Sequence, residues 1–347
     1  MRVGIVGVGR MGVEHLKSFA LVPGVDVVAV SDVSTERAHQ VAGAHGIERV
    51  HEDVEALVAS EDVDAVDVVV PPGEVLEIVQ AACAHAKPVM CEKPLGVDAG
   101  QARAMLDAAT AAGVAHALCH QRRYDPVHRY VRDLVGEGFV GAPRLVDVRV
   151  MTDFGAGAAG RAGWIGDGQA GGGMLMQLLS HYVDLLHFTF GDLSLTWCDT
   201  TGAATARGGA DDTVVVLGEL PGGGRVSLVG GWALHHPAGV AWQIYGSDGT
   251  ILVDTDMHVL GGRAGEALTD LGVPDAYRPA VGAGSFSAYG DRMNMGWADN
   301  IPMLASLAAE FAGHVAGGAA TEPLYATFAD GLWFHDAIAR AAGPGKL

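Results

Sequence analysis

The chain has 347 residues, of which 49% are hydrophobic and 18% charged, and its formal net charge is −19. This composition is typical of a globular protein with room for two domains, and it excludes an intrinsically disordered chain. The acidic balance and the absence of a Lys/Arg run exclude a nucleic-acid partner, and no apolar run is long enough for a membrane span.

The amino terminus and the cysteines indicate in which cellular compartment we expect the protein. The opening residues MRVGIVGVGR predict a strand and a glycine turn rather than a signal peptide, so we expect a cytoplasmic protein. The four cysteines show no CxxC or other metal-ligand spacing, and we expect reduced thiols and no metal site.

The first 120 residues alternate short apolar runs with helical patterns. The runs are continuously hydrophobic, as in strands buried on both faces of a parallel sheet. They lie at 2–6, 25–31, 64–71, 88–91 and 115–119. The helical patterns lie at about 10–21, 34–45, 73–86 and 98–112, the last with Asp98 as its N-cap and Gly113 at its end. We predict a doubly wound parallel α/β domain over residues 1–121.

The pattern changes after residue 121. It predicts a helix near 125–137, a strand at 143–151, a glycine-rich loop at 155–173 and a long helix at 174–190. Alternating segments follow, joined by turns at PGGG (221–224) and SDGT (247–250), which is typical of an antiparallel sheet. Residues 261–290 are predicted as a long loop near the substrate or a partner subunit. Helices near 301–316 and 327–342 end a second domain over residues 122–347.

The sequence Gly7-Val8-Gly9-Arg10-Met11-Gly12 follows the first strand and opens a helix, and Asp32 ends the second strand. In a dinucleotide site Gly7 makes the tight turn, Gly9 admits the pyrophosphate, and Gly12 packs the helix against the strand. Asp32 would accept hydrogen bonds from the ribose hydroxyls and repel a 2′-phosphate. The motif predicts NAD as the cofactor, with NADP disfavoured.

A second motif, Cys91-Glu92-Lys93-Pro94, follows the strand at 88–91. Ligands of parallel α/β sheets bind at the carboxyl ends of the strands, and Pro94 restrains Lys93 to extended conformations. The ammonium can polarise a carbonyl oxygen or exchange a proton with a hydroxyl. The alternative is an ordinary surface lysine, although the chain has only four lysines.

A third motif is Gly171-Gly172-Gly173 with the helical residues that follow. On a regular helix Gln177 and His181 share a face, with Asp184 one turn further on. Three glycines would allow the backbone to approach a ligand closely. Histidine is the usual base at neutral pH, although one on an apolar helix is more often structural.

GVGRMG, the EKP at 92–94 and the GGGxLx₅HxxD segment together resemble the Gfo/Idh/MocA oxidoreductases, the glucose–fructose oxidoreductase and inositol dehydrogenase family. QRRYDP (121–126) and the closing ADGLWFHDAIARAA extend the resemblance over almost the whole chain. It implies a Rossmann domain followed by an α/β domain with a large, open, mainly antiparallel sheet. The outer face of that sheet commonly packs subunits into homodimers or homotetramers.

Carried over by position, Lys93 matches the catalytic lysine and His181 the acid/base histidine. Gln177 stands where many sugar and inositol dehydrogenases of the family have aspartate, and an amide neither carries a negative charge nor accepts a proton. Val75 stands where the family often has histidine. We assign the cofactor contacts to Gly7, Gly9, Arg10, Met11, Gly12, Asp32, Pro71, Pro72, Glu92, Lys93 and Gln121.

The remaining candidates have alternatives. Besides Gln177, we expect Trp164 to stack on a sugar ring or to pack its own loop, and Arg123 and Tyr124 to bind substrate or to fasten the two domains. His235 and His236 have no accompanying carboxylates, so no metal is predicted there. His15, on the first helix, is interpreted as structural.

These motifs predict an enzyme that transfers a hydride between NAD(H) and a secondary alcohol or ketone of a sugar or cyclitol. His181 would exchange the hydroxyl proton and Lys93 would stabilise the oxygen. One alternative is a redox-neutral enzyme that keeps NAD bound and cleaves or epimerises a glycoside. Another is a non-catalytic protein that senses nicotinamide nucleotide, with the missing aspartate in its favour and Lys93 and His181 against it.

Overall fold

The computed structural model describes residues 1–154, 163–202, 209–278, 300–317 and 322–343. The amino-terminal part alternates strands and helices as far as the sixth strand. Its elements are β1 Arg2–Val6, α1 Arg10–Phe19, β2 Asp26–Ser31, α2 Thr35–His45, β3 Arg49–His51, α3 Val54–Val58, β4 Ala65–Val68, α4 Val75–Ala84, β5 Val89–Cys91, α5 Ala99–Ala112 and β6 His116–Leu118.

These six strands form one parallel sheet in the order β3-β2-β1-β4-β5-β6. The predicted doubly wound α/β domain is therefore confirmed. The central strands are buried along nearly their whole length, which explains their continuous hydrophobicity. The short strand β3 and helix α3 were not predicted, because β3 is a three-residue edge strand with no buried residue.

Local signals set several helix ends. The side chains of Ser34, Asp53 and Asp98 each accept a hydrogen bond from a backbone N–H in the first turn of the helix that follows. Helix α5 ends at Gly113, which adopts the left-handed conformation. The predicted N-cap and end of α5 are therefore confirmed.

The second part of the chain builds a mixed, mostly antiparallel sheet. Its elements, followed by the closing helices, are α6 Pro126–Gly136, β7 Pro143–Met151, a π-turn Leu175–Leu179, α7 Ser180–Phe190, β8 Ser194–Thr201, β9 Thr213–Glu219, β10 Arg225–Gly231, β11 Gly239–Gly246, β12 Gly249–Val253, β13 Val259–Arg263, β14 Thr269–Asp270, α8 Asn300–Val315 and α9 Phe328–Ala342.

The strand order is β14-β13-β12-β11-β7-β10-β9-β8, and β7 with β10 forms the parallel pair. Residues of β7 alternate strictly: Val146, Val148 and Val150 are fully buried in a core shared with α6 and α7. Leu145 and Asp147 point to the opposite face, since successive side chains of a strand alternate. The predicted mainly antiparallel sheet is confirmed.

The predicted loop at 261–290 is wrong over its first part. Gly261 lies in β13 and pairs with Ile251 of β12, and β13 also pairs with β14. Glycines hid this strand from a hydrophobicity pattern, because they contribute no apolar side chain. Residues 279–290 of that predicted loop, and 155–162 of the earlier glycine-rich loop, lie outside the described residues.

The described chain divides into two compact units. Unit 1 contains residues 1–124, 300–317 and 322–332, and unit 2 contains residues 125–154, 163–202, 209–278 and 333–343. This division differs from the predicted 1–121 and 122–347, because Met303, Leu307 and Phe311 of α8 are buried in the same core as α1. No helix in the described part of the chain is both long and apolar enough to cross a membrane.

Candidate cofactor and catalytic sites

The glycine turn after β1 has the shape that a dinucleotide requires. Gly7 has a φ of +91°, and a Cβ there would lie 2.2 Å from the carbonyl oxygen of Val69. A Cβ on Gly12 would lie 2.2 Å from the carbonyl oxygen of Gly7. By contrast, the space beside Gly9 holds no described atom within 4 Å, and no side chain caps α1 there. A helix N-terminus without a side-chain cap suits a pyrophosphate.

Asp32 is held beside this turn. Its Oδ2 accepts a hydrogen bond from the backbone N–H of Val8 at 2.9 Å, and its Oδ1 accepts one from Ser34 at 2.8 Å. The guanidinium of Arg37 donates to both oxygens. Burial alone would raise the pKa of Asp32, but these hydrogen bonds outweigh burial and lower it. The carboxylate is therefore ionised at neutral pH. Arg37 was not predicted from the sequence.

We predict that Arg37 affects the choice between the two nicotinamide nucleotides. Because Arg37 offsets the charge of Asp32, Arg37→Ala should strengthen repulsion of a 2′-phosphate. The Kd for NADPH should rise about tenfold, which is about 1.4 kcal/mol, and the Kd for NADH less than about threefold. Titration calorimetry measures both constants, and Arg49→Ala, an exposed arginine on β3, is the control. An equal loss for both nucleotides would contradict the prediction.

The other predicted cofactor residues lie at the same edge of the sheet. The register pairs Val6 with Val68, Val68 with Cys91, and Cys91 with Leu118. The segments that follow β1, β4, β5 and β6 therefore leave neighbouring strands at their carboxyl ends. The structure thus brings together the following predicted residues: Gly7, Gly9, Arg10, Met11 and Gly12 after β1; Pro71 and Pro72 after β4; Glu92 and Lys93 after β5; and Gln121 after β6.

Lys93 is half-buried, directly after β5. Its backbone N–H donates to Oε2 of its neighbour Glu92 at 3.0 Å. Burial lowers the pKa of Lys93 and the cation of Arg122 lowers it further, while Glu92 opposes both. An amine with a depressed pKa exchanges protons more readily near neutral pH.

Arg123 and Tyr124 are buried, and their side chains contact acidic residues of unit 1. Arg123 Nη2 lies 2.9 Å from Asp330 Oδ1, and the hydroxyl of Tyr124 donates to Glu310 of α8. These contacts attach residues 121–124 to α8 and α9. A substrate contact of either side chain stays a prediction.

In unit 2, the helix that carries His181 does not begin as a regular α-helix. Residues Leu175–Leu179 form a π-turn, and α7 begins at Ser180. The predicted long helix over 174–190 is therefore confirmed, but its first turn is a π-helix, in which i→i+5 hydrogen bonds hold one extra residue. Gln177 Nε2 donates to the carbonyl oxygen of Gly171 at 2.6 Å, and His181 is buried. Such turns occur frequently at functional sites.

Gly172 and Gly173, which precede this turn, allow neighbouring protein atoms to pack closely against the backbone. A Cβ on Gly172 would lie 2.4 Å from the carbonyl oxygens of Trp164 and Ile165, and 2.6 Å from that of Asp167. Gly173 has a φ of +93°, and a Cβ there would lie 2.2 Å from Asp211 Oδ1. At these two positions protein atoms fill the space that a side chain would take, so packing alone requires glycine, and the close approach of a ligand stays a prediction.

Asp211 holds the start of the π-turn and was not predicted from the sequence. Its Oδ2 accepts a hydrogen bond from the backbone N–H of Leu175 at 2.8 Å, and its backbone oxygen accepts one from Met174 at 3.0 Å. It therefore holds the first residues of the π-turn. Burial raises the pKa of Asp211 to about 6, although the bond from Leu175 opposes this. No local signal marks a residue that lies 36 positions from its partner.

We predict a stability change with pH that depends on Asp211. The pKa of Asp211 in the folded state lies above the ordinary 3.8. The stabilising contribution of its protonated carboxyl group to the folded state is therefore complete below pH 3.8 and is lost as the pH rises through about 6. The free energy of unfolding of the wild type relative to Asp211→Asn should fall by about 2 kcal/mol over this range. Urea denaturation measures this difference, and Asp199→Asn, an exposed acid on β8, is the control. A constant difference would contradict the prediction.

Two further sequence candidates remain predictions. Trp164 lies half-buried in a short 3₁₀ segment, where its carbonyl packs against Gly172. Whether its side chain stacks on a sugar ring or packs its own loop stays a prediction. Among the described residues, two groups place three potential metal-ligand atoms within 4.8 Å of one another, and neither contains His235 or His236. The groups are His15, Asp67 and Cys119, and Asp254, Asp256 and His258.

Comparison with known proteins agrees with this architecture. Residues 1–120 match the family model described as an oxidoreductase family with an NAD-binding Rossmann fold, and residues 128–252 match the GFO/IDH/MocA C-terminal domain. Together the two models cover most of the chain.

Curated relatives carry dehydrogenase names. The chain is 41% identical to inositol 2-dehydrogenase of Rubrobacter xylanophilus over 145 residues, which is 41% of this chain and 42% of that protein. It is 29% identical to the rhizopine catabolism protein MocA of Rhizobium meliloti over 254 residues, 72% of this chain and 76% of that protein. The chain thus aligns with less than half of the length of the first of these relatives.

A solved structure extends the likeness to the whole fold. Levoglucosan dehydrogenase in complex with NADH and levoglucosan superposes with a TM-score of 0.81 at 21% identity, covering 99% of this chain and 96% of that one. Both domains of the fold are therefore shared. With its two matching domain models, the chain belongs to the Gfo/Idh/MocA family of NAD-binding oxidoreductases.

Proposed function

We propose that the protein transfers a hydride between NAD(H) and a secondary alcohol or the matching ketone of a sugar, sugar derivative or cyclitol. The observation that carries this proposal is the position of Lys93. It follows β5 at the sheet edge that also holds the glycine turn, and its pKa is depressed. The names of the inositol and levoglucosan dehydrogenases support the substrate class.

The glycine turn, the α1 N-terminus and Asp32 would hold the cofactor. The space beside Gly9 is open, whereas backbone atoms fill the space beside Gly7 and Gly12, and this arrangement fits a dinucleotide. When bound, NAD supplies the hydride acceptor or donor. In the proposed reaction His181 removes the proton of the reacting hydroxyl, and Lys93 stabilises the charge that develops on its oxygen. Gln177 donates its amide to Gly171 and cannot take up a proton. His181 and Lys93 would therefore carry the proton transfer without a carboxylate at position 177.

The proposal is tested with a panel of inositols, aldoses, anhydrosugars and aminosugars, each with NAD⁺ and NADP⁺, while absorbance of the reduced nicotinamide is recorded. We expect NAD⁺-dependent turnover of at least one member, and loss of most of that turnover in His181→Ala. Near-normal turnover of His181→Ala on that substrate would reject its assignment as the base.

The same panel separates the two alternatives. A redox-neutral enzyme would convert a glycoside or epimerise a sugar without net NADH formation, and chromatography of the products would show this. A nucleotide sensor would bind NADH and convert no member of the panel. Either result would replace hydride transfer as the net reaction.

We also propose that the outer face of the second sheet forms a homodimer or homotetramer. On this face Leu217 pairs with Trp197 across β9 and β8, and Leu145 pairs with Tyr245 across β7 and β11. These four side chains are between 37% and 47% exposed. Exposed large apolar side chains on one continuous sheet face are typical of protein interfaces.

Leu217→Lys should therefore dissociate the oligomer, because a buried charge without a partner is costly. We expect at least a tenfold rise in the dissociation constant, or about 1.4 kcal/mol or more. Light scattering after size exclusion measures the mass. Leu21→Lys, at an exposed leucine of unit 1 outside this sheet, is the control. A monomeric wild type would reject the assembly.

A further inference from the structure

A buried histidine in unit 1 lies between two carboxylates. His15 Nδ1 lies 2.8 Å from Asp67 Oδ2, and His15 Nε2 lies 3.1 Å from Glu92 Oε1. The side chains of His15, Asp67 and Glu92 are 0%, 1% and 10% exposed. An ionised carboxylate only accepts hydrogen bonds, so both ring nitrogens must carry protons to make both contacts. With both carboxylates ionised, the two contacts therefore correspond to an imidazolium.

The charges of the cluster favour the same state. Burial by itself lowers the pKa of His15, but Asp67 and Glu92 outweigh burial and raise it to about 10. Without the positive ring, two buried carboxylates would face each other, and one of them would take up a proton. Burial by itself would raise the pKa of Glu92, but the hydrogen bond and the charge of His15 outweigh burial and lower it, so the ring keeps Glu92 ionised.

Glu92 connects this cluster to Lys93. While Oε1 contacts His15, Oε2 accepts the backbone N–H of Lys93 at 3.0 Å. His15 lies on α1, the helix that follows the glycine turn. One side chain therefore joins the helix of the cofactor turn to the backbone of the proposed catalytic lysine.

We propose that His15 is a positioning residue for Lys93, which it holds through the carboxylate of Glu92. The role assigned to Lys93 itself rests on the proposed function, but the contact between the three residues does not. In the described part of the chain, the charged and titratable groups that act on Lys93 include Glu92, Arg122 and Cys119, and Asp67 contacts His15.

The test follows the titration of Lys93 by NMR. The chain contains four lysines, so ¹³Cε-lysine labelling gives few signals, and Lys93→Arg identifies that of Lys93. Glu92 raises the pKa of Lys93. If His15 acts through Glu92, then His15→Gln and Glu92→Gln should each lower the midpoint of Lys93 by about one pH unit. The double variant should lower it no further.

Phe19→Leu, a core substitution on the same helix, is the control for general destabilisation and should leave the midpoint unchanged. His15→Asn should lower the midpoint in the same direction and serves if His15→Gln does not fold. If Lys93 feels only the charge of His15, removal of that charge would raise the midpoint. A raised or unchanged midpoint in the folded variants overturns the proposal.

Activity is a separate measurement. With a substrate from the panel, His15→Gln should lower kcat at least tenfold and change the Kd for NADH less than about threefold. If no substrate is turned over, the proposed function fails, while the NMR titration still decides the role of His15. If kcat is unchanged in a folded His15→Gln enzyme, the positioning role is rejected.

Discussion

Lys93→Ala is expected to lower kcat about a thousandfold and to change the Kd for NADH less than about threefold. In the proposed reaction the ammonium stabilises the charge that develops on the substrate oxygen, so its removal should slow proton exchange at that oxygen. The fold should persist, because Lys93 is only half-buried. Stopped-flow absorbance of NADH measures turnover, and fluorescence titration measures NADH binding.

Two variants test this expectation further. Lys17→Ala removes an exposed lysine of α1 that pairs with Glu14 and should leave kcat unchanged. The pKa of Lys93 lies below that of an ordinary lysine, and its ionisation should therefore appear in the pH profile of kcat/KM. Lys93→Arg keeps a positive charge that does not titrate below about pH 12, so this ionisation should disappear from the profile. If Lys93→Ala kept turnover within tenfold of the wild type, the role of Lys93 in the reaction would be rejected.

Gly172→Ala is expected to destabilise the protein by about 3 kcal/mol or more. Its methyl group would meet the carbonyl oxygens of Trp164, Ile165 and Asp167 at 2.4 to 2.6 Å. These are backbone atoms, so they can move only if the loop that precedes the π-turn moves as well. Because that turn leads into the helix of His181, kcat should fall with stability.

The matched control is Gly136→Ala in the same unit. Gly136 ends α6, and its added Cβ would meet no described atom within 4 Å, so stability should stay the same or rise slightly. Thermal and urea denaturation of both variants give the comparison. Equal stability of Gly172→Ala and Gly136→Ala would show that the loop adapts and that the close packing is not required.

The amino-acid sequence determined those features whose signals are local. The glycine turn, Asp32 and the EKP segment could be placed because a strand, a turn and a helix follow each other within a few residues. The hairpin between β9 and β10 could be placed because PGGG joins two alternating strands. Buried parallel strands were recognised by their continuous hydrophobicity.

Only the tertiary structure decided the features that depend on distant partners. Asp211 holds a π-turn 36 residues away, and His15 meets Glu92 across 77 residues. Helix α8 joins the core of α1 although nearly 300 residues separate their first positions. The physical reason is that a hydrogen bond or a buried contact has no sequence spacing of its own. Local patterns show where the chain turns, whereas only packing shows which groups then meet.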